Sequence, residues 1–239
     1  ATPEHGYRAL LWSRCASRVL VELTRFKCPD ADALYDGARS VDWLDHLDID
    51  RTFAVDFVGR SSQIRHTQFG AYRVKDAIVD AFMDRLGRRP NVDPKDPDVR
   101  LHAHLNRNQV TLAVDLAGTP LHERGFNRTA LEAPLKETLA ASLLRLTGWH
   151  TDPTQPLVDP MCGSGTFLVE AGMLARDFAP GLARERWGFD GWKAHEPAVW
   201  KALLNEAIER GAAGAERAVP LFGSDHDGLA LQATHQNLV

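Results

Sequence analysis

The chain has 239 residues, 44% hydrophobic and 25% charged, an ordinary globular composition long enough for one large domain or two small ones. Its 28 basic and 32 acidic side chains leave a formal charge of -4, so nucleic-acid affinity cannot come from net charge and any such binding must be local. No apolar run approaches the ~18 residues of a membrane helix. Three cysteines without a CxxC pair or a secretory leader point to a reducing cytoplasm, with neither a disulfide framework nor a cysteine zinc site.

In chain order, Val19, Val21 and Leu23 alternate as in a half-buried strand. Asp30 can cap a helix whose apolar positions Leu34, Ala38, Val41 and Leu44 recur at three and four. Residues 52–57 read as a second strand. Residues 57–75 then hold Arg60, Arg65, Arg73 and Lys75 with no acid, and carry His66, Phe69 and Tyr72 among the charges. Such a segment suits phosphate contact with base stacking, or is simply a solvated face. Val74, Ile78, Ala81, Phe82 and Leu86 mark an amphipathic helix ended by Gly87 and Pro90. Val99, Leu101, Ala103 and Leu105 alternate with Arg100, His102 and His104, and after the turn Asn106-Arg107-Asn108 residues 110–116 return as a hairpin partner. His102 and His104 share a strand face, but a third metal ligand is not evident, and a polar sheet face or RNA contact is the plainer account. No metal is expected.

From residue 118 to 133 the pattern lapses. Pro134 suits a first helical turn, and Leu135, Leu139 and Leu143 share a face of the helix that should follow. Strand and helix then alternate: Leu157-Val158, residues 166–175, 194–210, 219–222, and onward from Gly228. Alternation of this kind implies a parallel sheet with crossover helices. The expected organisation is a small mixed α/β domain over 1–118, a linker over 119–132 and an α/β domain over 133–239. The first part is neutral, with 17 basic and 17 acidic side chains, so the whole deficit of charge lies in the second. The chain starts at Ala1 rather than Met and stops at Asn237-Leu238-Val239 within a helical pattern, so it reads as a fragment.

The strongest signal is Leu157-Val158-Asp159-Pro160-Met161-Cys162-Gly163-Ser164-Gly165-Thr166. A short strand runs into a glycine turn and a helix, which lets backbone N–H groups approach a ligand closely. Asp159 places a negative charge beside that turn, favouring a ligand with positive charge over a pyrophosphate. Neither GxGxxG nor a Gly-Lys-Ser/Thr ending is present, so the fingerprints of dinucleotide and ATP binding are missing. Cys162 has no neighbouring His and reads as a small loop residue rather than a nucleophile. Trp187, Phe189, Trp192 and Trp200 form an aromatic group for which burial is the commoner explanation than base stacking.

The segment Asp159 to Thr166 resembles the S-adenosylmethionine-binding first motif of Rossmann-like RNA methyltransferases that carry a THUMP domain. Arg124-Gly125-Phe126-Asn127-Arg128 with Ala133-Pro134-Leu135-Lys136-Glu137-Thr138-Leu139-Ala140-Ala141 is similar to that family's "RGYR…APLKETLAA" stretch, with Phe126 in place of Tyr and Asn127 before the second Arg. Ala179-Pro180-Gly181-Leu182, Arg186-Trp187-Gly188-Phe189 and Gly191-Trp192 resemble an insert of the large-subunit ribosomal RNA guanine-N2 branch, often fused to a second methyltransferase. Leu11-Trp12-Ser13-Arg14, Tyr72-Arg73-Val74-Lys75-Asp76 and Arg89-Pro90-Asn91-Val92-Asp93 look like its THUMP region. The resemblance spans about Leu10 to Val239.

It implies a THUMP-type RNA-binding domain followed by a truncated Rossmann-like methyltransferase domain, with S-adenosyl-L-methionine as cofactor and large-subunit ribosomal RNA as partner. It places the cofactor on Thr138, Asp159, Pro160, Cys162, Gly163, Ser164, Gly165 and Thr166, with Asp225 on the ribose hydroxyls and Asp227 as a weaker second candidate or a helix cap. Arg60, Arg65, Arg73 and Lys75 would meet RNA. The family's Asn/Asp-Pro-Pro-Tyr/Phe acceptor motif has no counterpart here, so that motif is expected beyond Val239 and the chain alone is expected to be inactive. A guanine-N2 methyltransferase acting on transfer RNA and a non-catalytic module for structured RNA are the alternatives.

Overall fold

In the computed structural model, residues 2–125 and 134–238 are described. The chain forms two compact units, neither continuous in sequence. One holds residues 18–119 with 186–196, and the other holds 1–17, 120–185 and 197–239. Two stretches thus lie in a different unit from the one that sequence order gave them: the N-terminal residues 1–17 and the aromatic segment 186–196.

The first unit is a mixed sheet with helices on one face. Its strands are β1 (Leu20–Lys27), β2 (Thr52–Val58), β3 (Asn91–Val92), β4 (Val99–Asn106) and β5 (Gln109–Asp115), in the order β1-β5-β4-β2-β3. β4 and β5 are the expected hairpin, with Asn106 opposite Gln109 and with Arg107 and Asn108 both left-handed at φ 47° and 59°. Positive φ at both central residues matches the twist of the flanking strands. Because side chains alternate across a strand, Phe53, Val99, Leu101, Ala103, Leu105, Val110, Leu112 and Val114 gather on one buried face. Leu34 of α2 (Ala31–Arg39) and Val74, Ile78 and Phe82 of α3 (Thr67–Leu86) are buried with them.

Asp30 caps α2 as expected, accepting from the Ala33 N–H at 2.8 Å. The helix stops at Arg39, however, and does not continue through Val41 and Leu44. The chain turns inward to bury Trp43, whose indole Nε1 donates to the Ala38 carbonyl at 2.8 Å and so satisfies a carbonyl at the helix end.

Residues 186–196 are stitched to this unit by backbone. The Gly188 N–H donates to the Leu116 carbonyl at 3.1 Å, the Gly191 N–H to Asp98 at 3.0 Å and the Lys193 N–H to His46 at 3.1 Å. Trp187 and Phe189 stack with centroids 6.1 Å apart, and Trp192 lies over His46 at 6.3 Å. Trp200 does not join them: it sits on a helix of the second unit, edge-on to Tyr7 at 5.6 Å. The aromatic group is therefore split between the units. A Cβ on Gly188 would lie 2.0 Å from the Asp115 carbonyl oxygen and 2.7 Å from the Gly118 nitrogen. Gly188→Ala is expected to destabilise the first unit by about 1–3 kcal/mol and to open residues 186–196 to proteolysis. Thermal melts with limited digestion check this, and a variant indistinguishable from the parent would refute the close approach.

The second unit opens with α1 (Pro3–Trp12), a helix the sequence periodicity did not announce. Next comes α4 (Glu137–Leu146). Pro134 precedes it rather than lying in its first turn, and Leu139 and Leu143 are exposed while Ala140, Ala141 and Leu144 are buried. Small residues on the inner face let α4 approach α5 (Thr166–Ala175), against which it packs. β6 (Leu157–Asp159) and β7 (Leu221–Gly223) are parallel neighbours, as the alternation implied, with Asp159 opposite Gly223. α5 and α6 (Pro197–Gly214) lie between them in sequence, and α7 (Gly228–Leu238) follows. α6 begins at Pro197 rather than at 194, because proline's fixed φ and missing donor suit a first turn. No helix among the described residues is long and apolar enough to cross a membrane.

Candidate functional site

The glycine turn stands where the parallel strands end, which is where an α/β sheet presents its ligand site. Gly163 and Gly165 are left-handed, at φ 55° and 83°, so side chains at these positions would be strained. The turn is bound to the end of β7. Asp225 Oδ2 accepts the Gly163 N–H at 2.9 Å, and Oδ1 accepts the Asp227 N–H at 3.0 Å. The Cys162 N–H donates to the Ser224 carbonyl at 3.0 Å, and the Ser224 N–H to Asp159 at 2.9 Å. From α7, Thr234 Oγ1 donates to the Gly163 carbonyl at 2.7 Å and Asn237 Nδ2 to Ser164 at 3.0 Å.

These bonds sort the sequence candidates. Asp227 is the cap of α7, accepting the Leu229 N–H at 2.9 Å, whereas Asp225 faces the glycine turn. The N–H groups of Asp227 and Gly163 hold the Asp225 carboxyl below the usual carboxylate range. Its side chain is 11% exposed, and a carboxylate has about four lone-pair sites, so acceptor capacity remains beyond the two backbone donors. His226, itself fully in solvent, lies 3.1 Å from Oδ1. Asp159 is half-buried and accepts the Met161 N–H at 3.2 Å. Cys162, Ser164 and Thr166 are buried and Pro160 is exposed. Cys162 Sγ lies 3.5 Å from Thr234 Oγ1 and packs near Gly223, which fits a small filler better than a nucleophile. Thr138 is buried in the first turn of α4, and its carbonyl accepts from Ser142 Oγ at 2.7 Å.

One ionic cluster was not foreseen. Glu170, on α5 and fully buried, accepts Arg124 Nε at 3.1 Å, and its second oxygen lies 3.6 Å from Arg14 Nη1. Arg124 also donates to the carbonyls of Leu121 at 2.8 Å and Arg14 at 2.7 Å, and Arg14 to that of Phe178 at 2.7 Å. Burial pushes the Arg14 guanidinium down to about 10 and the Glu170 carboxyl up, so both ions are held against the cost of desolvation. The cluster ties residues 13–14 and 121–124 to the helix that leaves the glycine turn. A lone Glu within Phe167-Leu168-Val169-Glu170-Ala171 was the signal available, since a buried carboxylate requires a partner.

In the first unit, two of the four basic candidates are already engaged. Arg73 pairs with Asp32 at 2.7 Å, donates to the Ala31 carbonyl at 3.2 Å and lies over the Tyr35 ring at 4.6 Å, clasping α2 to α3. Lys75 pairs with Asp76 at 2.6 Å. Arg60 and Arg65 are exposed and have no carboxylate partner among the described residues, and Phe69 and Tyr72 stand exposed nearby in sequence. His102 and His104 do share a face of β4, and no group of three or more metal-binding side chains occurs among the described residues.

Residues 28–115 match the THUMP domain model, and residues 124–239 match the model described as an RMKL-like methyltransferase domain. The chain is 50% identical over 239 residues to the ribosomal RNA large subunit methyltransferase K/L of Pseudomonas paraeruginosa, and equally so to that of Pseudomonas aeruginosa. Each match covers 98% of this chain and 33% of the relative, so the chain spans about a third of their length. Among solved structures, a chain from Listeria monocytogenes described as a predicted N6-adenine-specific DNA methylase is 31% identical, with a TM-score of 0.84 over 98% of this chain and 60% of that one. A chain described as a putative methyltransferase, solved in complex with SAH, is 29% identical, also at 0.84, over 98% and 61%. The THUMP match contains β2 to β5 of the first unit's sheet, with β1 just before it, and the methyltransferase match contains the glycine turn and Asp225. The chain therefore carries a THUMP domain followed by an RMKL-like methyltransferase domain.

Proposed function

We propose that this chain supplies the RNA-binding and cofactor-binding parts of an S-adenosylmethionine-dependent enzyme that methylates the N2 amine of a guanine in large-subunit ribosomal RNA. The observation that carries the reading is the left-handed glycine turn between β6 and α5 held to the Asp225 carboxylate at 2.9 Å. A carboxylate with unused lone pairs beside a turn with two left-handed glycines suits a ligand with vicinal hydroxyls, and Asp159 adds negative charge for a cationic one. The cofactor supplies the methyl group. Asp225 takes the ribose hydroxyls, and Asp159, Pro160, Cys162, Gly163, Ser164, Gly165 and Thr166, together with Thr138 of α4, wall the site. Their work is binding and positioning. Calorimetric titration of the chain with S-adenosylhomocysteine tests this: one saturable site is expected, and no binding would overturn the reading.

The RNA-binding module in this reading is residues 18–119 with 186–196, and the cofactor module the rest. A ribosomal RNA substrate also implies a cytoplasmic location. Arg60 and Arg65, rather than Arg73 and Lys75, are the contacts to phosphate, because only the first two lack a carboxylate partner among the described residues. Changing both to Gln is expected to weaken binding to a large-subunit ribosomal RNA transcript and to reduce the slope of log affinity against log salt by about two. An unchanged slope would leave the pair as solvated surface, and equal preference for transfer RNA would refute the ribosomal assignment.

A further inference from the structure

At the far end of α5 from the glycine turn, the second unit holds a pocket of about 470 Å³ lined by four arginines: Arg8, Arg14, Arg145 and Arg210, together with Trp12 and His150. α5 has 10 residues, so the two ends stand about 15 Å apart and the pocket is separate from the candidate cofactor site. Leu174 and Asp177 complete its wall.

The charges around it do not balance. Arg8 pairs with Glu206 at 2.7 Å and Glu4 at 3.3 Å, and Arg210 takes both oxygens of Asp177 at 2.8 Å while lying 3.6 Å above the Trp12 ring. Arg14 shares its single carboxylate, Glu170, with Arg124. Arg145 is exposed and has no carboxylate partner among the described residues. Two buried nitrogens also have no hydrogen-bond partner: His150 Nδ1, and Arg14 Nη1, which lies 3.6 Å from a Glu170 oxygen that is itself unbonded. Arg14 is 6% exposed, so its share of the surplus cannot be screened by water. A buried guanidinium with one nitrogen not hydrogen-bonded, beside an open cavity whose wall also carries Arg8, Arg145 and Arg210, with Asp177 engaged by Arg210, is arranged for a small anion with several oxygens.

We infer that this pocket binds a phosphoryl oxyanion and that its occupant is a backbone phosphate of the RNA. The RNA source rests on the function proposed above; the oxyanion chemistry does not. Arg145 is the residue to remove, since it is exposed and supports no packed neighbour through an ion pair. In the parent chain, inorganic phosphate should raise the melting temperature relative to chloride at matched ionic strength, and Arg145→Gln should abolish most of that rise. The same variant should lower the salt slope for a ribosomal RNA transcript by about one. Loss of the phosphate effect with an unchanged RNA slope would overturn the RNA source and assign the pocket to a free phosphate ligand. No phosphate effect in the parent would overturn the site itself. Titration with S-adenosylhomocysteine, expected to be the same in parent and variant, separates either failure from a failure of the cofactor assignment.

Discussion

Replacing Glu170 with Ala is expected to cost the second unit about 3–5 kcal/mol of stability. The reason is asymmetry. The carboxylate is fully buried, as are the guanidiniums of Arg124 and Arg14 that face it, and removing the one anion leaves two buried cations with nothing to offset them. The exposed pair of Arg8 and Glu206, at 2.7 Å, is the contrast: both side chains are about two-fifths exposed, and such pairs contribute about 0–1 kcal/mol. Glu170→Gln keeps an oxygen for Arg124 Nε and should lose less than the Ala variant. Urea unfolding followed by probes in each unit reads the effect, since a chain of two units need not unfold in one step. The transition of the second unit should move while that of residues 18–119 stays. A loss below about 1 kcal/mol would show that water reaches the cluster and that the ions are not buried in solution.

The same cluster shows which features a sequence carries locally and which it does not. The cap at Asp30, the hairpin turn at Arg107-Asn108 and the run of α5 from Thr166 to Ala175 depend on neighbours within a few residues, and each was legible. The buried face of α4 was not. Leu139 and Leu143 have the right spacing, but α4 packs through Ala140 and Ala141, because the distance to α5 decides which face turns inward. Residues 186–196 fold with the first unit through the backbone of Leu116, Asp98 and His46, partners some 70 to 150 positions away with no local signature. The ion pair of Arg73 was out of reach for a similar reason: its partner Asp32 lies 41 residues off. At the candidate site the motif from Asp159 to Thr166 was plain in sequence. What the structure adds there is a physical link, a carboxylate 62 residues downstream bonded to the glycine turn.

That link gives Asp225→Ala the largest expected effect on ligand binding, a loss of about 10- to 100-fold in affinity for S-adenosylhomocysteine. Two contributions add. The ligand loses a charged acceptor for its hydroxyls, and the N–H groups of Gly163 and Asp227 lose the oxygens that fix the turn and the start of α7. Asp225→Asn separates them, because the amide retains one acceptor oxygen but its NH2 group cannot accept the second N–H. It should fall between parent and Ala. The pH dependence follows from the depressed carboxyl, held down first by the Asp227 N–H and then by that of Gly163. A lowered folded pKa means that the contribution of Asp225 is present above the ordinary carboxylate range and is lost only as pH falls through the folded value. Its contribution to affinity should therefore be flat from about pH 5 to 8. Calorimetry at several pH values on parent and both variants measures all of this. Equal affinity in the parent and Asp225→Ala would sink the ribose assignment, and a drop in parent affinity near pH 6 with no counterpart in Asp225→Ala would show that the carboxylate is not held ionised by these N–H groups.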